Sequence, residues 1–243
     1  MAIIERTYGK ESNVVIDEVL ISSDSHVIEP EGLWKKQLPK VFQDRAPDFG
    51  GQRPNDTPGG AMDKNKRVSE MAADGVSAEV LYPTHGLKCL PAQDVQVDRY
   101  VEMINSLYEL IYSGVLERFP KLKVVLVENE LGWIPFVLEQ WDYYFKRHGP
   151  KREGLAIKKL PSEYFHNQIY TTFFNDAVGG HILSWWGTDN CMWSNDFPHG
   201  NSTWPNSRQV VARDLGDLPA PLRAKLVREN VARLYDIPVP SPV

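Results

Sequence analysis

The sequence predicts an α/β fold of parallel strands wrapped by helices, of the (β/α) TIM-barrel type. Three observations predict it. Short apolar, β-branched runs alternate with segments of helical periodicity, five of each in strict order. Four of the five runs end in polar or charged residues, at Asp24/His26, His85, Glu128 and Asp196. In a βα barrel the C-terminal ends of the strands are where chemistry sits. The chain, at 243 residues, fits one domain of this type with little room for a second, so 1–243 is read as a single domain.

The elements follow in order. Residues 1–18 are mixed and polar, an irregular arm. Val19–Ser23 is the first strand and runs into Asp24-Ser25-His26. Residues 30–66 hold Pro39, Pro47, Pro54 and Pro58 with the pairs Gly50-Gly51 and Gly59-Gly60. They read as a loop-rich excursion, of a length that compact domains keep for a lid or an interface. Val68–Asp74 is helical and stops at Gly75. Ala78–Tyr82 is the second strand, closed by Pro83. Arg99–Arg118 is one helix, with Val101, Ile104, Leu107, Tyr108, Ile111 and Val115 on one face, and Pro120 ends it. Lys123–Glu128 is the clearest strand of the chain. Ile134–Arg147 is an aromatic-rich helix with Pro135 in its first turn, where proline is tolerated. Residues 148–162 are a basic, polar loop. Gln168–Phe174 is a strand, Val178–Trp186 a helix, and Cys191–Ser194 the last strand, leading into Asn195-Asp196-Phe197-Pro198-His199. Leu222–Tyr235 is the closing helix, with Leu222, Leu226, Asn230 and Leu234 on one face.

Composition narrows the class. Hydrophobic residues at 42% and charged residues at 24% exclude a disordered chain, a collagen-like repeat and a coiled coil. The net charge of −5 lacks the basic excess of a nucleic-acid binder, so no nucleic-acid partner is expected. No apolar run is long enough to span a bilayer, and Met1–Lys10 holds no signal-peptide core. Cys89 and Cys191 make no disulfide framework. The expectation is a cytoplasmic protein with a small-molecule substrate and no membrane partner.

Several residues are candidates for chemistry. Asp24 and His26 are two apart on an extended chain, so both side chains face one way and can reach one divalent ion. The alternative is a carboxylate capping a turn beside an unrelated histidine. Asp196, at the end of the last strand, can ligate a metal and take a proton from metal-bound water, or simply cap the next turn. Glu128 ends a strand of apolar residues. It either opens onto the site or is buried and paired, because an isolated buried charge is too costly. His85, at a strand end, and His199, beside Asp196, are candidate substrate contacts. His181 reads as a surface or packing residue. No G-x-S-x-G, P-loop or G-x-G-x-x-G occurs, so serine hydrolase, NTPase and Rossmann readings lose their anchors.

Three stretches carry a resemblance: Ser23-Asp24-Ser25-His26-Val27-Ile28-Glu29-Pro30, the segment from Gly114 to Phe145, and Met192-Trp193-Ser194-Asn195-Asp196-Phe197-Pro198-His199 with Thr203-Trp204-Pro205-Asn206-Ser207. Together they resemble the amidohydrolase-related family, the group of aminocarboxymuconate-semialdehyde decarboxylase and related aromatic-acid decarboxylases. Glu229-Asn230-Val231-Ala232-Arg233-Leu234-Tyr235 fits that family's last helix. The resemblance implies a distorted (β/α)8 barrel with one divalent metal, most often zinc, with manganese as the other choice. It implies metal ligands at Asp24, His26 and Asp196. It implies a proton-handling histidine at the sixth strand, where this chain has Glu128.

Two departures stand out. About five strands are found where a closed barrel needs eight. The chain reads as a family member lacking strands three to five, and no strand supplies the family's fifth-strand histidine ligand. Missing neighbours leave unpaired strand edges, which a homo-oligomer would cover. The leading expectation is a metal-dependent hydrolase or non-oxidative decarboxylase of a small carboxylic acid, amide or lactone. In it Asp196 and Glu128 are catalytic, Asp24, His26 and Asp196 hold the metal, and His199 and His85 contact substrate. The alternative is a catalytically inactive, truncated member that folds as an oligomer or with a partner.

Overall fold

A computed structural model describes residues 14–47, 57–85 and 99–239. Cys89 and most of the N-terminal arm lie outside the described residues. Five strands form two parallel sheets. In the first, β1 (Leu20–Val27) pairs with β2 (Val76–Pro83). In the second, β3 (Val124–Leu126), β4 (Ile169–Phe173) and β5 (Cys191–Trp193) pair in that order. Hydrogen bonds join the sheets across β1 and the chain at β5. Ser23 Oγ donates to the Trp193 carbonyl at 2.7 Å and Asp196 N to the Asp24 carbonyl at 3.0 Å. The result is an arc in the order β2, β1, β5, β4, β3. Among the described residues β2 and β3 are its outer strands, so the barrel is incomplete.

The helices are α1 (Leu33–Gln37), α2 (Lys64–Asp74), α3 (Arg99–Tyr112), α4 (Val115–Arg118), α5 (Ile134–His148), α6 (Pro161–Gln168), α7 (Ala177–Trp186), α8 (Ser207–Leu215), α9 (Ala220–Ala224) and α10 (Asn230–Tyr235). One wide turn, Lys225–Glu229, joins α9 to α10. No described helix is long and apolar enough to cross a membrane.

Strand alternation sorts the core into two clusters. Leu20, Cys191 and Trp193 face one way and pack with Leu107, Ile111, Ile134, Leu183 and Leu226 from the surrounding helices. Ile21 and Met192 face the other way and pack with Val231 and Ala232 of α10, flanked by Val80, Val125, Tyr170 and Tyr235. The last helix therefore covers the strand face opposite to the one that α3, α5 and α7 cover. Asn230 fixes its start by donating to the Cys191 carbonyl at 2.8 Å.

Several expectations are corrected. Arg99–Arg118 is two helices, broken at Ser113-Gly114. Gly114 has φ 73°, and a Cβ there would stand 2.7 Å from that of Ala156, so only glycine allows the turn. The loop at 148–162 ends inside α6, which opens with Pro161 and is capped by Glu163 accepting from Leu160 N at 3.1 Å. Helix α8 lies in a stretch given no element, and Asp74 caps it by accepting from Ser207 N at 2.8 Å. The 30–66 excursion contains α1 and the first turn of α2, where Asp63 accepts from Asn65 N and Lys66 N. Asp24-Ser25-His26 lies within β1 rather than after it.

Candidate metal centre

The C-terminal ends of β1, β3 and β5 bring four side chains together. One ligating atom from each of His26, Glu128, Asp196 and His199 lies within 4.8 Å of the others. His26 Nε2 is 3.5 Å from Asp196 Oδ1, and 3.3 Å from Asp24 Oδ1, which joins the group from the same strand. His199 Nδ1 is 2.9 Å from Asp196 Oδ1 and 4.0 Å from Glu128 Oε1. His85 is not one of the grouped residues. It follows β2, and its backbone N–H donates to Glu29 Oε2 at 2.8 Å. His181 is exposed on α7.

Main-chain geometry aims these groups. Glu128 and Asp196 have φ 53° and 54°, the left-handed region that non-glycine residues occupy at a cost on the order of 1–3 kcal/mol. Hydrogen bonds hold each in place. Glu128 N donates to Thr172 Oγ1 at 2.9 Å, and the Asp196 carbonyl accepts from His199 N at 3.0 Å. Beneath the site, Asn195 Oδ1 accepts from Ser22 Oγ at 2.9 Å, Ser25 Oγ at 2.8 Å and Phe197 N at 3.2 Å. One amide thus ties β1 to the chain after β5.

The charge balance favours a cation. Asp24, Asp196 and His26 are 0%, 1% and 2% exposed. Among the described residues neither oxygen of Asp24, neither ring nitrogen of His26 and not Asp196 Oδ2 has a hydrogen-bond partner. Buried carboxylates without donors are unstable unless a cation satisfies them. Ligand atoms around a tetrahedral zinc stand roughly 3.3 Å apart at the usual bond lengths. The separations of 3.3 and 3.5 Å about His26 Nε2 match that spacing. The residues present fit a divalent ion. At His199, burial pushes the imidazole down. The Asp196 hydrogen bond and the charges of Asp196, Glu128 and Asp24 outweigh it, so His199 titrates above the ordinary histidine value.

Arg67 and Asn195 escape the sequence reading. Arg67 left one trace: α2 carries Lys64, Lys66 and Arg67 in its first turn and no acid. Cations there oppose the helix dipole, which signals a partner elsewhere. Asn195 left none, since its neighbours Ser22 and Ser25 are remote in sequence.

Comparison with known proteins adds the following. A family model described as Amidohydrolase matches residues 51–237. The structure is similar to 5-carboxyvanillate decarboxylase LigW from Sphingomonas paucimobilis, with 17% identity and TM-score 0.65, over 90% of this chain and 99% of that one. It is similar to amidohydrolase map2389c from Mycobacterium avium subsp. paratuberculosis K-10, with 13% identity and TM-score 0.64 over the same shares. It is also similar to a dihydroxybenzoic acid decarboxylase from Polaromonas sp. JS666 with bound manganese and 2-nitroresorcinol, with 11% identity and TM-score 0.62, over 90% of this chain and 97% of that one. These likenesses show the barrel fold. No curated protein matches the chain.

Proposed function

The chain belongs to the amidohydrolase family of enzymes, and from that premise we propose that it is a metal-dependent, non-oxidative decarboxylase of small hydroxylated aromatic acids. The observation that carries the reading is the buried, donor-poor cluster of Asp24, His26 and Asp196 at the strand ends, with His199 and Glu128 beside it. The decarboxylase names of two structural relatives support the substrate class.

Asp24, His26 and Asp196 would hold one divalent ion, and zinc is the first choice. The carboxylate-rich donor set also suits manganese, which the Polaromonas relative binds. When bound, the ion supplies Lewis acidity toward substrate oxygens.

The remaining chemistry is proton handling. Loss of carbon dioxide leaves the electron pair of the broken C–C bond on the substrate carbon, which must then take one proton. Asp196 delivers it. His199 Nδ1, 2.9 Å away and charged more readily than an ordinary histidine, returns a proton to Asp196. The proton that the reaction consumes comes from solvent water, and Glu128, 4.0 Å from His199, favours the recharging of His199 by its negative charge. In this reading His199 is the substrate contact, and His85, just after β2, is a second one.

The second reading is hydrolysis of an amide or lactone, for which the same Asp196 takes a proton from attacking water and passes it to the leaving group. Incubating metal-loaded protein with hydroxybenzoates labelled at the carboxyl carbon, and with amides and lactones, separates the two. Labelled carbon dioxide supports decarboxylation. Acid release from amides or lactones replaces it with hydrolysis. No turnover by metal-loaded protein over the whole panel favours the inactive-member alternative. The outer edges of β2 and β3 further support a homo-oligomer, checked by sedimentation, and a monomer that binds no apolar dye overturns that part.

A further inference from the structure

Arg67 is a buried cation with three attachments. It lies in the first turn of α2 and is 5% exposed. Its Nε donates to Glu79 Oε2 of β2 at 2.7 Å, and its Nη1 donates to the His26 carbonyl at 2.6 Å. Its guanidinium carbon lies 4.5 Å from the centre of the Phe197 ring. Phe197 is itself bound to His26, whose backbone N–H donates to the Phe197 carbonyl at 2.6 Å. The two peptide groups of His26 are thus held by two residues that touch each other, one on α2 and one after β5.

We infer that Arg67 is a positioning residue of the metal centre, clamping the His26 main chain so that its imidazole stands against Asp24 and Asp196. The inference rests on the metal-centre reading above and deepens it. His26 stands opposite Tyr82 in the β1–β2 ladder, yet its own N–H and carbonyl bond outside that ladder, to Phe197 and to Arg67. The register of β1 on β2 shifts between Ser22 and Ser25, just before the ligand. Such an irregularity disrupts the ladder locally and increases the twist, and pairing resumes only at Ser25, one residue before the ligand. Arg67 supplies the fixed point from outside the ladder.

The residue type follows from the geometry. Two donors must diverge in one plane while the face of that plane lies on an aromatic ring. A guanidinium does both, whereas an ammonium is a point charge with neither the fork nor the face. Glu79 neutralises the charge that burial would otherwise make costly. The close approach of α2 depends on Gly60, where a Cβ would stand 2.7 Å from Arg67 Cα and 2.9 Å from its nitrogen.

The test compares wild type with Arg67→Lys after loading each metal-free protein with Co2+. Affinity is read by competition with a chromophoric chelator, and ligand geometry by the visible absorption of the bound ion. Loss of an outer partner of a metal ligand typically weakens binding 10–100-fold. Arg67→Lys is expected to show a loss of about that size, with an altered Co2+ spectrum, in protein that remains folded by circular dichroism. A purely structural role would lower the thermal midpoint and leave the affinity and spectrum of the folded fraction unchanged, and that result overturns the inference. Should Arg67→Lys not fold, Phe197→Leu, which removes the ring beneath the guanidinium, is read by the same two measurements and the same criteria. A wild type that takes up no Co2+ overturns the metal-centre reading itself, whereas equal affinity in wild type and variant overturns only the role of Arg67.

Discussion

The imidazoles of His26 and His199 stack with centroids 4.0 Å apart and planes inclined by 23°, and a single oxygen, Asp196 Oδ1, contacts both rings. Asp196 Oδ1 therefore bridges the edges of two rings, that of His26, which has no hydrogen-bond partner among the described residues, and that of His199, which titrates above the ordinary histidine value. In the proposed function the two adjacent imidazoles have different work, metal binding for His26 and proton transfer for His199.

The purified protein is expected to carry about one equivalent of a divalent metal by elemental mass spectrometry, as the donor set implies. Asp24→Ala and Asp196→Ala are each expected to lose it. A metal-free wild type that takes up none on loading contradicts the assignment of these residues as ligands.

His199→Phe keeps a flat ring against His26 but can neither give nor take a proton. The variant is expected to retain metal and lose turnover by roughly 10²–10⁴-fold, the usual worth of a general acid or base. Steady-state rates beside metal analysis decide it. Loss of metal together with activity would make His199 a ligand instead.

Asn195→Ala removes the acceptor shared by Ser22 Oγ, Ser25 Oγ and Phe197 N. Each buried donor left unpaired costs about 1–3 kcal/mol, partly recovered where Ser22 still reaches the Asp24 carbonyl at 2.8 Å. A loss of about 3 kcal/mol in denaturant unfolding is expected. A change below roughly 1 kcal/mol would show that the tie between β1 and β5 is made elsewhere.

Glu130 makes stability depend on pH. Burial, with the charge of Asp176, pushes its carboxyl up to about 8 from 4.5, against the backbone N–H groups of Phe174 and Asn175. The folded value exceeds the unfolded one, so the folded state holds the proton more tightly. The contribution is complete below pH 4.5 and is lost as pH rises through about 8. Between pH 5 and 9 wild type is expected to lose a few kcal/mol that Glu130→Gln does not, at roughly 1.4 kcal/mol per unit of separation between the two values. Urea midpoints at the two pH values measure this, and parallel slopes for the two proteins would contradict it.

Much of the fold was legible in the chain. The apolar period marks β1, β4 and β5 to within about four residues, and the polar ends of the runs mark the side that carries chemistry. Helices α6 and α8 were not legible, because each is short and opens in a stretch of turn-forming residues. Asp24 and His26 could be paired from their spacing alone, since alternation along an extended chain is a local property. His85 matched the same strand-end pattern, yet its position does not bring it into the cluster.

By itself the sequence determined what each segment can form and which face of it is apolar, because propensity and periodicity act over a few residues. Only the tertiary structure decided which strand ends meet. The grouping of His26, Glu128, Asp196 and His199, the reach of Arg67 to a carbonyl 41 residues away, and the covering by α10 of the strand face that carries Ile21 and Met192 all depend on the order β2, β1, β5, β4, β3. That order is set by packing between segments remote in the chain, and no local pattern records which surfaces will find one another.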